Sequence, residues 1–280
     1  MTPPLLQMRQ ITLDYGRGLG RKPFRALHDV ELEIAHGETV GLVGESGSGK
    51  TSLGRIVLGL QPPTAGSVHF DGEDVTRAGR RRRRALALDL QAVFQDPYSS
   101  LNPTRRVGAS VAEPLLQRRG ELTAAQIAAR VEHMLRRVGL SDGDAARYPG
   151  HFSGGQRQRI AIARALIVEP KLVVCDEPVS ALDLSVQAQV LNLLAELQES
   201  LSLSYLFIAH DLAVVRFLCH RIVVLRGGRV VESGAAEQVY RNPRHIYTRE
   251  LLAAIPNPDP DAHIAAHPGG LIPISDGGAQ

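Results

Sequence analysis

The chain has 280 residues, 44% of them hydrophobic, enough to bury a large core as one elaborate domain or two small ones, which excludes a disordered protein. Its formal charge of +3 is too weak a bias to argue for nucleic acid, and the local run Arg80 to Arg84 reads as a solvated helix face. No stretch approaches the roughly 20 apolar residues of a membrane span, and the N-terminus MTPPLLQMRQ lacks the basic flank and apolar run of a signal peptide, so the chain itself is expected to be soluble.

In chain order, residues 5 to about 75 alternate short apolar strands (ITLDY, VELEI, TVGLVG, SVHF) with turn residues such as His36-Gly37 and Asp71-Gly72, which predicts a β-rich opening. TSLGRIVLGL has helical spacing and is stopped by Gln61-Pro62-Pro63. From about Arg80 to Ala165 the pattern is mostly helical, clearest in AAQIAARVEHMLRRVGL, which predicts a helical insert. KLVVCDEP and YLFIAH then read as buried strands of a parallel sheet, separated by the helix of SVQAQVLNLLAELQESL. From Ile255 the sequence is rich in Pro and Gly and is expected to lie extended over the surface or disordered. Cys175 in an apolar run and Cys219 in a helical one form neither a disulfide framework nor a metal pattern, and the histidines show no ligand spacing, so a reducing cytosol is the natural compartment.

The strongest chemical signal is GESGSGKT at 44–51, which fits G-x-x-x-x-G-K-[ST] with Gly44, Gly49, Lys50 and Thr51 in register between a strand and a helix. Glycines let backbone N–H groups converge on phosphates, the helix dipole adds partial positive charge, Lys50 reaches the β and γ phosphates, and Thr51 would coordinate Mg²⁺. LVVCDEP ends a buried run in two carboxylates, placing Asp176 and Glu177 at the carboxyl end of a strand. Asp176 suits a Mg²⁺ contact through water, and Glu177 suits a general base or water-positioning role. His210, ending YLFIAH, is placed to sense a γ phosphate, though a strand-end His is more often structural. A second anion cradle stands at HFSGGQRQRIAIARAL, where Ser153, Gly154 and Gly155 leave backbone N–H groups bare ahead of an amphipathic helix. One small domain rarely needs two.

The ordered set GESGSGKT, Gln95 in VFQDP, FSGGQ, LVVCDEP, SALD and His210 resembles the nucleotide-binding subunit of an ATP-binding cassette (ABC) transporter over nearly the whole chain to about residue 260. The resemblance implies an α/β P-loop ATPase core spanning 1–254, with an N-terminal antiparallel β subdomain and a helical subdomain inserted at about 96–160, followed by the tail 255–280. It implies ATP and Mg²⁺ held by Gly44, Glu45, Ser46, Gly47, Ser48, Gly49, Lys50, Thr51, Ser52, Gln95 and Asp176, with Thr51, Gln95 and Asp176 on the metal, Glu177 as catalytic base and His210 on the γ phosphate. Gln95 would also link that region to the membrane partner. Tyr15 would stack on adenine, with Phe24 an alternative because GRGLGRKPF blurs the register. Ser153, Gly154, Gly155, Gln156 and Asp183 would serve the nucleotide of an opposing subunit, so that the second cradle belongs to a second site.

VFQDPYSSLNP, CDEPVSALDLSVQAQV, FIAHDLAVV and YTRELLAAIPNPDP are similar to the oligopeptide, dipeptide and nickel permease group, and SGGQRQRIAIARAL to its OppF/DppF type. The implied partners are a second ATPase chain, itself or a paralogue, in a head-to-tail dimer, two transmembrane permease subunits and an extracytoplasmic substrate-binding protein, with no nucleic acid. The implied location is the cytoplasmic face of a bacterial cell membrane. Many members continue into a cysteine-containing C-terminal segment, in some of which an iron–sulfur cluster is bound; no cysteine follows Cys219 here, so no cluster is expected. Nickel, a metal chelate or glutathione stand as alternative cargoes. A soluble ABC ATPase acting on nucleic acid would carry a second cassette, a coiled coil or a zinc module, and a P-loop kinase would lack the SGGQ helix.

Overall fold

The computed structural model describes residues 3–16, 24–96, 100–118 and 121–254. Tyr98 and the Pro/Gly-rich segment from Ile255 fall outside them. Two sheets share the work of burial. The first is four-stranded and antiparallel, in the order β2-β1-β4-β5, from β1 (Leu6–Tyr15), β2 (Phe24–Ile34), β4 (Ala65–Phe70) and β5 (Glu73–Asp74). The second is six-stranded, in the order β10-β9-β3-β8-β7-β6. It comprises β3 (Thr39–Val43), β6 (Leu90–Val93), β7 (Leu172–Asp176), β8 (Ser204–Ala209), β9 (Arg221–Arg226) and β10 (Arg229–Ala235). All its pairings are parallel except the β9–β10 hairpin.

The apolar runs of the central strands follow from this layering. Alternate side chains of a strand point to opposite faces, and both faces of this sheet are covered. Val174, Leu206, Ile208 and Leu225 pack against the antiparallel sheet and helix α1 (Lys50–Val57). Val173, Cys175, Tyr205, Phe207 and Val224 pack against the helical side. That side contains α3 (Val107–Ala112), α4 (Ala124–Arg137), α5 (Gly154–Leu166), α6 (Leu184–Leu201), α7 (Leu212–Leu218), α8 (Ala236–Arg241) and α9 (Ile246–Ala253). Each fully buried large apolar side chain contributes on the order of 2 kcal/mol, and Tyr205 and Phe207 are both fully buried at the sheet centre.

Two readings of the sequence change. The stretch from Arg80 is not continuously helical: α2 (Arg80–Asp89) stops where β6 begins, and Leu90–Val93 join the sheet edge beside β7. Four residues are too few to display a period against the helical pattern on either side. Cys219 lies just past α7, with an extended backbone, and is buried with Cys175 in the helical-side core.

Strand β3 admits no side chain at Gly41. A Cβ there would lie 2.0 Å from Val215 Cγ1 and 3.0 Å from Cys219 Sγ, so α7 sits directly on the strand backbone. Gly41→Ala is therefore expected to cost about 1–3 kcal/mol through overpacking, read as a lowered urea midpoint with an unchanged slope. A midpoint equal to that of the wild type would mean that α7 can move away freely.

Candidate functional site

Every parallel strand of the central sheet ends at the same edge. Val43 at the end of β3 pairs with Ala209 at the end of β8, Asp176 of β7 with Ile208, and Val93 of β6 with Cys175. The residues that follow, Gly44, His210, Glu177 and Gln95, are thereby set along one rim, the usual place for ligands in open α/β sheets.

The loop 44–51 is held open by its surroundings. Gly44, Gly47 and Gly49 have φ of 156°, 80° and 106°. A Cβ on Gly44 would come within 2.1 Å of the Leu225 carbonyl oxygen, and one on Gly49 within 2.7 Å of Leu27 and 3.0 Å of the Ala26 carbonyl oxygen. At Gly47 nothing lies within 4 Å, so the loop is pinned on one side and free on the other. The Gly228 N–H donates to the Ser48 carbonyl at 3.0 Å and the His28 N–H to the Gly228 carbonyl at 2.8 Å, which ties the β9–β10 turn to both loop and antiparallel sheet.

The groups present fit a nucleotide triphosphate with its metal. Lys50 is buried, and its Nζ donates to the carbonyls of Gly44 at 2.7 Å and Glu45 at 2.9 Å. Burial lowers its pKa while Glu177, Asp176 and Glu45 pull the other way. The Ser48 hydroxyl is buried without a hydrogen-bond partner. Helix α1 begins directly at Lys50 with no side-chain cap, so its first N–H groups remain available to an anion. Burial, followed by the neighbouring Glu177 charge, raises the pKa of Asp176, while a side-chain hydrogen bond with Thr51 and the charge of Lys50 lower it. A carboxylate uncomfortable in its ionised form and already beside a threonine hydroxyl suits a divalent cation.

Glu177 leaves β7 with a left-handed backbone at φ 50°, its N–H bound to the Ile208 carbonyl at 3.0 Å. That conformation is unfavourable for a side-chain-bearing residue and turns the chain sharply off the strand. His210 Nδ1 stands 3.8 Å from Glu177 Oε2, beyond direct hydrogen-bond distance, so a water can stand between the two side chains. Gln95 is exposed just beyond β6. Tyr15 donates its hydroxyl to Gln61 at 2.9 Å and lies 3.0 Å from the Ser52 hydroxyl. Phe24 is its cross-strand partner, so both aromatics share one sheet face at the side of the loop.

The second cradle is elsewhere. Ser153 caps α5 in a reciprocal box: Gln156 N–H donates to Ser153 Oγ at 3.3 Å, and Ser153 N–H to Gln156 Oε1 at 3.0 Å. Gly155 is buried, and a Cβ there would meet Val186 Cγ1 at 2.3 Å, so its small size is required where α5 crosses α6. Helix α5 packs on β6, α3, α4 and α6. Asp183 caps α6, accepting from Val186 N–H at 3.0 Å and Ser185 at 2.9 Å, and the next residue, Leu184, is 85% exposed. The structure brings Tyr15, the loop 44–52, Asp176, Glu177 and His210 to one rim and keeps Ser153, Gly154, Gly155, Gln156 and Asp183 with the helices.

A pinned phosphate loop, an acidic strand end and a capped SGGQ helix together define a P-loop ATPase of the cassette type. Residues 27–180 match the family model described as ABC transporter, and residues 231–277 match the C-terminal region of oligopeptide/dipeptide transporters. The chain belongs to the ABC transporter family. It is 50% identical over 259 residues to a Brucella ovis protein named as a peptide import ATP-binding protein, covering 92% of this chain and 81% of the relative. It is 52% identical over 236 residues to the oligopeptide transport ATP-binding protein OppD of Mycobacterium tuberculosis, covering 84% of this chain and 38% of that one. Among solved structures, the ATP-binding cassette MJ0796, a dimer bound to ADP and Pi, superposes with a TM-score of 0.74 at 30% identity, covering 82% of this chain and 98% of the other. CbiO1 of Clostridium perfringens, part of the transporter complex cbiONQ, gives 0.77 at 27% identity, with 91% and 96% covered.

One contact with the loop is absent from the sequence reading. The backbone N–H of Glu45 donates to the hydroxyl of Tyr247, 2.8 Å away on α9. Tyr247 is buried, and the Arg226 guanidinium lies 4.5 Å from its ring centroid. The start of α9 is fixed in turn by Glu232, whose carboxylate accepts from the N–H groups of Arg244 at 2.8 Å and His245 at 3.0 Å. Only YTREL marks this helix in the sequence, and nothing there points to a loop about 200 residues earlier. Tyr247→Phe keeps the ring and its cation contact but removes the acceptor. It is expected to weaken ATP binding roughly 5-fold, the effect of one hydrogen bond of about 1 kcal/mol, with little change in Tm. Unchanged affinity by calorimetry would make the contact incidental.

Proposed function

We propose that this chain is the ATP-hydrolysing subunit of a peptide importer, acting as half of a head-to-tail pair of ATPase chains on the cytoplasmic face of a cell membrane. The observation that carries this reading is the separation of the two cradles. The rim is formed by Gly44–Thr51, Asp176 and Glu177, while Ser153 and Gly155 stand at the start of α5, which packs on β6, α3, α4 and α6. A second copy or a paralogue, turned about, supplies what each rim lacks. The dimeric state of MJ0796 and the peptide-import names of the relatives support this arrangement.

In that closed pair Lys50 exchanges the carbonyls of Gly44 and Glu45 for phosphate oxygens, and the Ser48 hydroxyl gains a partner. Thr51 and Asp176, with Gln95 reaching in from the adjoining strand end, would hold Mg²⁺, which neutralises charge on the β and γ phosphates when bound. Glu177 accepts the proton of the attacking water, and His210 meets the γ phosphate. Tyr15, moored beside the loop through Ser52 and Gln61, supports the adenine. Closure and reopening give two permease subunits a nucleotide-driven displacement; the stretch Gln95–Pro103, of which residues 97–99 lie outside the described residues, is the segment assigned to them. An extracytoplasmic binding protein would deliver the peptide.

Two experiments test this. Glu177→Gln should retain ATP affinity, lose about 10²-fold or more in turnover and accumulate a closed, ATP-loaded pair; near-normal turnover sinks the assignment of the base. The cradles are distinguished by comparing Lys50→Ala with Ser153→Arg. Loss of the lysine should weaken ATP binding even by the monomer. The arginine should leave monomer affinity close to wild type yet block ATP-dependent dimerisation in light scattering, with the copurified partner chain as well as alone. If Ser153→Arg abolishes monomer binding as thoroughly, the cradles form one site and the paired arrangement fails.

A further inference from the structure

Helix α2 opens with five consecutive arginines, and their surroundings divide them. Arg82 pairs with Glu73, Nε to Oε1 3.0 Å. Arg83 donates to the Ala78 carbonyl at 2.7 Å, its guanidinium lying beside Gly59. Arg80, Arg81 and Arg84 are exposed, as is Arg77 just before the helix, and among the described residues none of these four has a carboxylate partner. The nearby acids are engaged: Glu73 with Arg82, Asp74 with Thr76 and Asp71 with Lys171. Asp89 stands at the other end of the helix.

The run is unfavourable for the helix that carries it. Four cations occupy the first turn, where the backbone dipole is itself positive and no acidic residue is present. Arg80 and Arg84 are like charges at i,i+4. Nothing within the described fold offsets either effect for Arg80, Arg81 and Arg84, so an external anion is the natural counterpart. Against the inner face of α2 lies an apolar groove of about 240 Å³, whose lining includes Leu60, Val75, Leu86, Leu90 and Phe94. Leu60 and Phe94 are 66% and 41% exposed, and Phe94 immediately precedes Gln95, where the segment assigned to the permeases begins.

We propose that Arg80, Arg81 and Arg84 bind the anionic phospholipid headgroups of the membrane, with Leu60 and Phe94 bordering the same contact. The proposal rests on the reading of the chain as a membrane-seated importer subunit. A row of guanidinium groups fixed to no carboxylate suits a layer of mobile phosphates, and exposed apolar side chains beside a basic helix are the signature of an interfacial surface. The charge is local to this helix in a chain of net charge +3, unlike a surface built to follow nucleic acid.

The test uses the full chain and its Arg80→Gln/Arg81→Gln/Arg84→Gln variant in sedimentation with phosphatidylethanolamine vesicles, with or without phosphatidylglycerol. The wild type is expected to bind only the phosphatidylglycerol vesicles, and less as salt rises. The variant should bind them about 10²-fold more weakly, for three charges at about 1 kcal/mol each, with ATP hydrolysis unchanged and Tm equal to or above that of the wild type, since the like-charge and dipole repulsion within the helix is relieved. The proposal is overturned if the wild type ignores phosphatidylglycerol or if the variant binds equally well. It is also overturned if the variant keeps vesicle binding but loses copurification with the permeases in lipid-free detergent, which would assign the arginines to an acidic protein segment. Copurification of the wild-type chain with permease subunits tests the importer reading separately and is independent of the vesicle result.

Discussion

The approach of the Leu225 carbonyl to Gly44 constrains more of this molecule than any other contact. A single carbon at that glycine would overlap the oxygen at 2.1 Å, so the phosphate loop has one possible seat, against the end of β9. That seat exists only because β9 pairs in parallel with β3 and turns back as β10. The turn residue Gly228 is bound to Ser48 on one side and to His28 on the other. The parallel sheet, the hairpin and the antiparallel sheet thus converge on one loop, and Tyr247 adds the last helix. The base of the cradle is held in place by the fold itself, and such preorganisation is what electrostatic stabilisation of phosphate requires.

Much of this was legible in the sequence because the features are local. GESGSGKT carries its own geometry, since glycines at fixed spacing followed by a helix leave one conformation. The runs LVVCD and SYLFIA read as doubly covered strands because their interiors are apolar, and both are interior strands of the sheet. Thr123 and Gln126, and Ser153 and Gln156, stand three residues apart and form reciprocal caps that this spacing permits, although the sequence reading did not single them out. Illegible were the features that depend on long-range partners. Strand β6 is too short to show a period, and it is a strand because β7 lies beside it. The hairpin RIVVLRGGRVVESGA went unread although Gly227-Gly228 between two apolar runs is a hairpin signal. Tyr247 gives no local sign of its role, and Gly155, read as a bare N–H, also turns out to be the place where α5 meets Val186.

The two cradles are built on different principles. At the first, glycines with positive φ and a buried lysine create a polar concavity whose charges are incompletely satisfied, as the opposing pulls on Lys50 and Asp176 indicate. At the second, Ser153 and Gln156 satisfy each other's N–H groups and fix the helix terminus without a ligand's help. The first is a site that waits for charge; the second is a capped helix terminus that presents a surface. The exposed Leu184 beside the Asp183 cap belongs to the same outward-facing side of the fold.

The clamp around Gly44, Gly49 and Gly228 also limits how such chains exchange pieces. Residues 26–28, 44–49 and 225–228 come from the beginning and the end of the fold, yet where they meet, at Gly44, Gly49 and Gly228, there is no space for one extra carbon. A recombinant that joins the first half of one transporter ATPase to the second half of a cousin brings together surfaces matched to within a fraction of an ångström in their parents. The weak point of such a hybrid is this interior seam rather than the crossover itself.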